Sequence, residues 1–100
     1  MPESCDVEAQ TRDEIYRISP LKNRLEQLRG EYLRIPTWKM PFEKQLERFK
    51  TIESQRKSLE SQVSVQWRTL SEPSRDMLKA CRDRLRMAAQ EAKKALGIED

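Results

Sequence analysis

The most suggestive side chains for chemistry in this sequence are a series of cations. Five of them recur at intervals of 4, 3, 4 and 7 residues near the C-terminus: Arg75, Lys79, Arg82, Arg86 and Lys93. On a helix this spacing forms one stripe, where the charges attract phosphate groups and the alkyl stems cover apolar neighbours. Because Asp76, Asp83 and Glu91 share the segment, an ordinary solvated helix face is the competing interpretation.

The sequence offers no recognisable catalytic arrangement of residues. The chain has no histidine, and its two cysteines, Cys5 and Cys81, are far apart, so neither a nucleophile–histidine pair nor a Cys/His zinc site can form within one chain. The two glycines exclude a Gly-rich phosphate loop. Carboxylates are scattered among cations, as in the i,i+4 pairs Asp13–Arg17 and Glu53–Lys57. The sequence predicts a non-enzymatic protein without metal or cofactor.

The composition predicts a single small domain with a thin core. Charged residues are 37% and hydrophobic residues 36% of 100 residues, against averages of about 25% and 45–50%. A chain of this length folds around one core, and a core this poor in apolar residues leaves little stability after the chain entropy is subtracted. We therefore expect assembly with a protein partner or with a second copy.

The charge distribution leaves three classes of partner open. The formal net charge is +3, concentrated in the C-terminal two-thirds, which is compatible with nucleic acid, an anionic membrane surface or an acidic protein. No apolar run approaches the roughly 18 residues of a membrane span, and no secretory signal begins the chain. The expectation is a soluble intracellular protein, in the cytoplasm or the nucleus, with no membrane insertion.

The central stretch carries the clearest helical pattern. Its apolar residues recur about every 3.6 positions: Phe42, Leu46, Phe49, Ile52, Leu59, Val63, Trp67 and Leu70. This spacing predicts one helix over residues 42–70. Arg56 occupies an apolar position and Ser58 resembles a fresh N-cap, so a break near residue 56 is the alternative. We favour the continuous helix.

The last third predicts a second long helix. Ser71 is a suitable N-cap, Pro73 suits a first helical turn, and Gly97 followed by Ile98 predicts a left-handed C-cap. The apolar seam of this helix contains Cys81. Helices 42–70 and 72–97 are expected to form a long antiparallel hairpin that dominates an all-α, three-helix fold.

The N-terminal third predicts a shorter heptad helix. Residues 1–10 are polar and aperiodic, which indicates a disordered leader before a single helical domain over 11–98. Thr11 and Glu14 have the spacing of a capping box, and Pro20 separates helices over 12–18 and 20–35 by a break or a kink. Six residues form a heptad seam: Ile18, Leu21, Leu25, Leu28, Tyr32 and Ile35. That seam either packs on its own domain or binds a partner.

One part of the sequence resembles a known family. Three apolar residues spaced by four precede a turn and a basic helix: Leu59, Val63, Trp67 and then Leu70-Ser71-Glu72. The pattern resembles the second and third helices of the high-mobility-group (HMG) box family, with Pro41-Phe42 and Phe49 in place of its aromatic first helix. The resemblance spans about residues 36–95. It implies an L-shaped domain that binds the DNA minor groove and bends the duplex.

Two functional hypotheses follow. The preferred one is a helical interaction module that assembles with a protein partner or with itself, for which the heptad seam is the candidate binding surface. The alternative is a small basic DNA-binding protein. Its candidate phosphate-binding residues are Lys39, Lys44, Lys50, Arg75, Lys79, Arg82 and Arg86.

Overall fold

The chain folds into three helices joined by short connections. The computed structural model describes residues 2–98, with side chains from residue 12 onwards. Helix α1 spans Pro2–Arg34, α2 spans Phe42–Gln66 and α3 spans Glu72–Leu96, and single 3-10 turns follow α1 and α2, at Ile35–Thr37 and Trp67–Thr69. Residues 2–98 contain no strand. The predicted all-α class is therefore confirmed.

The dominant helix pair differs from the prediction. Helix α1 packs against α3 much more extensively than α2 packs against either neighbour, so the expected dominance of the hairpin formed by α2 and α3 is wrong. The reason is the supply of apolar side chains: α3 buries seven apolar residues besides Ser74, whereas α2 buries four. The heptad seam of α1 covers the rest of the core. Helix α1 is also the longest of the three helices, whereas the sequence predicted a shorter one.

Cross-helix contacts define an elongated up-down-up bundle. Glu14 lies beside Ser71 and Glu26 beside Arg84, so α1 and α3 run in parallel. Helix α2 runs antiparallel to both, and the molecule measures 60 × 22 × 16 Å. The connection between α1 and α2 and the C-terminus of α3 consequently lie at one end of the bundle, which we call the loop end.

Helix α1 continues through two predicted boundaries. Pro20 lies inside it and cannot donate to the Tyr16 carbonyl, while the Ser19 hydroxyl donates to the Ile15 carbonyl over 2.9 Å. Buried Ile18 and Leu25 on either side of Pro20 keep the helix packed across it. The structure thus has one helix where 12–18 and 20–35 were expected.

The first ten residues also differ from the expected disordered leader. The backbone from Pro2 onwards is helical, as an established helix gains one hydrogen bond for each residue added. Met1 and the side chains of residues 2–11 lie outside the described residues. Because no helix begins at Thr11, the predicted capping box has no helix terminus to satisfy.

Helix α2 passes residue 56 without interruption, which confirms the continuous helix. Its last predicted turn tightens into the 3-10 turn at Trp67–Thr69. Since an L-shaped domain requires two helices to meet at an angle near residues 54–58, this chain does not adopt the L shape that the HMG-box resemblance implies.

The heptad seam lies in the core of its own domain. Five of its six residues have no exposed surface: Ile18, Leu25, Leu28, Tyr32 and Ile35. Leu21 is partly buried against the same core, and Cys81 is a buried free thiol on the facing seam of α3. The seam therefore satisfies the intramolecular alternative and offers no free surface for a partner.

The predicted end of α3 is confirmed. Gly97 adopts a left-handed φ of 71°, its N–H bonds to the Lys94 carbonyl, and the Ile98 N–H bonds to the Lys93 carbonyl over 3.0 Å. This is the Schellman arrangement.

The two glycines should respond oppositely to alanine. Gly30→Ala is expected to raise the free energy of unfolding by about 0.5–1 kcal/mol, because the helix gains propensity and a Cβ there meets nothing within 4 Å. Gly97→Ala should lower it by roughly 1–2 kcal/mol, since its φ is left-handed. Urea unfolding followed by circular dichroism measures both. A destabilised Gly30→Ala protein would contradict the uninterrupted helix at residue 30.

Candidate interaction surfaces

The fold separates the seven candidate phosphate-binding residues into two groups. Lys39, Lys44 and Lys50 lie in the loop between α1 and α2 and in the first turns of α2, at the loop end. The other four are on α3: Arg75, Lys79, Arg82 and Arg86. They precede the loop end by about 10 to 21 residues, or roughly 15–30 Å along the helix. The structure therefore does not gather the seven into one site.

Most of the α3 cations bind groups of their own chain. Arg75 donates from Nε to the Trp67 carbonyl over 2.9 Å and from Nη2 to the Arg68 carbonyl over 3.2 Å. The Arg82 guanidinium lies 5.5 Å from the Trp67 ring centroid, and Arg86 pairs with Glu60 over 3.0 Å. These contacts close the junction between α2 and α3, while Lys79 is exposed.

A partly buried polar layer around Arg56 lies beside the core. Its guanidinium bonds through Nε and Nη2 to both carboxylate oxygens of Glu53, at 3.1 Å each, and pairs with Glu60 over 3.3 Å. The Tyr32 hydroxyl accepts from Arg56 Nε over 3.1 Å and donates to Glu53 over 2.5 Å. Arg86 reaches Glu60 from α3. All three helices contribute, which explains why a cation occupies the apolar stripe of α2 without breaking it.

The polar layer shifts the protonation of its members. Burial alone would raise the pKa of Glu53, but hydrogen bonds from Arg56 and Tyr32 outweigh it and hold that pKa below its usual value. Burial and the Glu53 carboxylate raise the pKa of the Tyr32 hydroxyl. Glu53 is therefore a carboxylate and Tyr32 a neutral hydroxyl at neutral pH, which gives the layer the character of a structural ion cluster. The sequence contained one signal of it, the cation at position 56.

A second cross-helix contact lies at the end opposite the loop. Glu14 of α1 accepts from the Ser71 backbone N–H over 2.6 Å and from the Ser71 hydroxyl over 2.9 Å. Ser74 and the Ser71 N–H hold the pKa of Glu14 below its usual value. Glu14, predicted to cap its own helix, instead caps the N-terminus of α3, where a negative charge is stabilised by the helix dipole.

Exposed apolar side chains occupy a shallow groove between α1 and α3. Leu33 is 37% and Met87 65% exposed. The residues that line this α1/α3 surface are Arg29, Leu33, Arg84, Met87, Ala88 and Glu91. It is the outer side of the most extensive helix pair, and it carries both signs of charge around an apolar centre. No periodic pattern in the sequence points to this surface, because Met87 stands one position outside the α3 seam.

The loop between α1 and α2 presents a second set of exposed apolar groups. Trp38 packs partly against the core with the Arg48 guanidinium 5.9 Å from its ring centroid. Met40 is 38% and Phe42 54% exposed. We call residues 38–42, with exposed Lys39 and Pro41 between them, the loop tip.

Comparison with family models, with curated proteins and with solved structures found no match. Within residues 2–98, no helix is long and apolar enough to cross a membrane. In the same part of the chain, no group of three or more His, Cys, Asp or Glu side chains is placed to hold a metal ion. The fold and its surfaces define an elongated, all-α three-helix protein with two exposed apolar sites of different character.

Proposed function

We propose that this chain is a non-enzymatic helical interaction module that assembles with a second copy of itself through the α1/α3 surface. The observation that carries the proposal is the exposure of Leu33 and Met87 on helix faces that are otherwise charged or small. Because the heptad seam is buried in the core, a second copy must bind at an exposed surface. Leucine and methionine contribute favourably when such a surface is buried, and methionine adapts to irregular partners.

The sequence of α3 makes this surface complementary to itself. Arg84 and Glu91 lie two helical turns apart, and Met87 and Ala88 stand midway between them. A two-fold axis through this midpoint brings Arg84 of one copy opposite Glu91 of the other, with the apolar centre between the two pairs. A second copy therefore fits the pattern of charge.

Sedimentation velocity across the micromolar range tests the assembly. The native chain is expected to form dimers. Met87→Glu should weaken association roughly a hundredfold or more, because two unpaired carboxylates would be buried at the axis. Val65→Glu is the matched control: Val65 is 82% exposed on α2, away from this surface, so its replacement should leave the dimer intact.

A charge exchange tests the two-fold arrangement. Arg84→Glu should weaken the dimer by about tenfold, since it places like charges opposite each other. Adding Glu91→Arg to the same chain reverses both members of the pair and should restore association. A native chain that stays monomeric contradicts the proposal, and a double variant no stronger than Arg84→Glu contradicts the assigned axis.

DNA binding is the second candidate, and one observation favours it. The hydrogen bonds of Arg75 go to uncharged carbonyls, so its charge stays uncompensated beside exposed Lys79 and Arg68 at the junction of α2 and α3. Such a cluster would contact duplex phosphates. Binding in low salt should weaken as salt rises, and Lys79→Gln should reduce the log–log salt slope by about one. No binding at low salt rejects this candidate.

A further inference from the structure

We propose that the loop tip docks the loop end of the bundle on an anionic phospholipid surface, with Met40 and Phe42 among the headgroups and Lys39 and Lys44 on lipid phosphates. This contact is independent of the α1/α3 surface. It is peripheral, and it differs from a membrane span.

The loop tip is held in shape by polar contacts behind it. The Gln45 amide donates to the carbonyls of Ile35 and Trp38, at 3.1 Å each, and the Thr37 hydroxyl donates to the Arg34 carbonyl over 2.7 Å. With its backbone fixed from the protein side, the loop cannot fold its outer side chains inwards. Met40 and Phe42 consequently stay exposed to water, which is unfavourable for apolar side chains. This free energy is recovered when a partner covers them.

The position of the loop tip favours a flat partner. It forms part of the end of a molecule that is 60 Å long and about 20 Å across, and α3 ends beside the 3-10 turn that follows α1. A protruding loop can place its apolar side chains among the lipid headgroups of a flat membrane surface, whereas a concave groove cannot reach them. Aromatic and flexible apolar side chains flanked by lysines are the combination that binds membrane interfaces.

The charges around the loop tip determine the lipid class. Exposed cations at this end of the bundle are Arg34, Lys39, Lys44, Lys50 and Lys94. Glu43, Glu47 and Glu91 oppose them, and the chain continues to Glu99 and Asp100 beyond the described residues. Lysines near an anionic leaflet contribute about 1 kcal/mol each, or about fivefold in partition. The cationic excess among the described residues selects an anionic rather than a zwitterionic surface.

Vesicle binding tests the proposal with Trp38 as the probe. Trp67→Phe leaves Trp38 as the single tryptophan of the full chain, which has two. Vesicles of phosphatidylcholine with roughly one third phosphatidylserine, carrying brominated acyl chains, should quench Trp38 and sediment the protein. Vesicles of phosphatidylcholine alone should do neither. The partition should weaken as salt rises, because salt screens the lysines.

Variants locate the contact. Met40→Ser with Phe42→Ser should reduce partition by about tenfold or more, and Lys44→Gln by about fivefold. The matched controls are Val65→Ser and Lys79→Gln, exposed residues of the same types nearer the other end of the bundle, which should change partition less than about twofold. Met87→Glu, which breaks the proposed dimer, should still bind vesicles, so the two proposals fail separately.

Three results would overturn the assignment. The first is no partition into phosphatidylserine vesicles. The second is an equal loss with Lys79→Gln and Lys44→Gln, which would mean unspecific basic attraction. The third is a Met40→Ser and Phe42→Ser protein that keeps its vesicle binding but loses dimerisation, which would make the loop tip a protein contact.

Discussion

Replacing Leu28 by alanine is expected to lower the free energy of unfolding by about 2–5 kcal/mol, the range for a fully buried leucine. Leu28 has no exposed surface and belongs to the core shared by the three helices. The truncation removes apolar contact and leaves a cavity between helices that cannot close fully. Domains of this size are stable by about 5–15 kcal/mol, so a large part of the total would be lost. Urea unfolding monitored by circular dichroism gives the value.

Leu33→Ala is the matched control on the same helix. Its side chain is 37% exposed, so the same substitution should cost less than about 1 kcal/mol while weakening the proposed dimer. Leu28→Ala should therefore act mainly on stability, and Leu33→Ala mainly on association. If Leu28→Ala left stability unchanged and dissociated an oligomer instead, the heptad seam would face a partner and the three-helix bundle would be contradicted.

Replacing Arg56 by methionine is expected to destabilise the protein by about 2–4 kcal/mol at neutral pH. Methionine keeps most of the volume but removes the cation that lies between Glu53 and Glu60, so Glu53 keeps its hydrogen bond from Tyr32 and Glu60 keeps its pair with Arg86. Both carboxylates are mostly buried, with 19% and 17% of their side-chain surface exposed. Arg48→Met is the control: Arg48 pairs with Glu31 over 2.9 Å but is 41% exposed, so its loss should cost about 0–1 kcal/mol.

The pH dependence identifies the carboxylates as the cause. In the native protein the lowered pKa of Glu53 contributes stability above its ordinary pKa of 4.5, which is lost as the pH falls through the lower folded value. Arg56→Met removes the hydrogen bond and the charge of Arg56 that lower this pKa, while Tyr32 and Lys93 remain, so much of that contribution at neutral pH is lost. Unfolding measured at about pH 4 and about pH 7 should therefore show a smaller effect of the substitution at the lower pH. An equal destabilisation at both pH values would mean that lost packing alone causes it.

Local sequence patterns were sufficient for the elements whose causes are local. The apolar spacing from Phe42 onwards predicted α2, and Ser71 with Pro73 predicted where α3 begins. Gly97 and Ile98 predicted how α3 ends. Each of these depends on residues within one or two helical turns, so the information is contained in adjacent positions. The absence of histidine and the scarcity of glycine likewise excluded whole classes of active site, because that chemistry depends on residue type alone.

Only the tertiary structure decided how these elements are used. The seam of Ile18 to Ile35 is equally suited to its own core and to a partner, and the choice depends on whether α3 has an apolar seam free to receive it. Pro20 predicts a boundary locally, but burial on both sides of it keeps α1 continuous. Glu14 matches a local cap, yet it caps the helix that begins 57 residues later. In each case a long-range contact outweighed the local preference.

Arg56 shows the limit of sequence reasoning most clearly. By itself the sequence determined an all-α chain with a cation on the apolar face of its central helix, and it left two explanations for that cation. The tertiary structure decided between them by bringing Tyr32, Glu53 and Glu60 around the guanidinium. A partly buried charge is stable when hydrogen bonds and opposite charges replace its water. Glu53 and Glu60 lie within about one turn of Arg56 on the same helix. Tyr32 and Arg86 come from α1 and α3, and no local pattern records their approach.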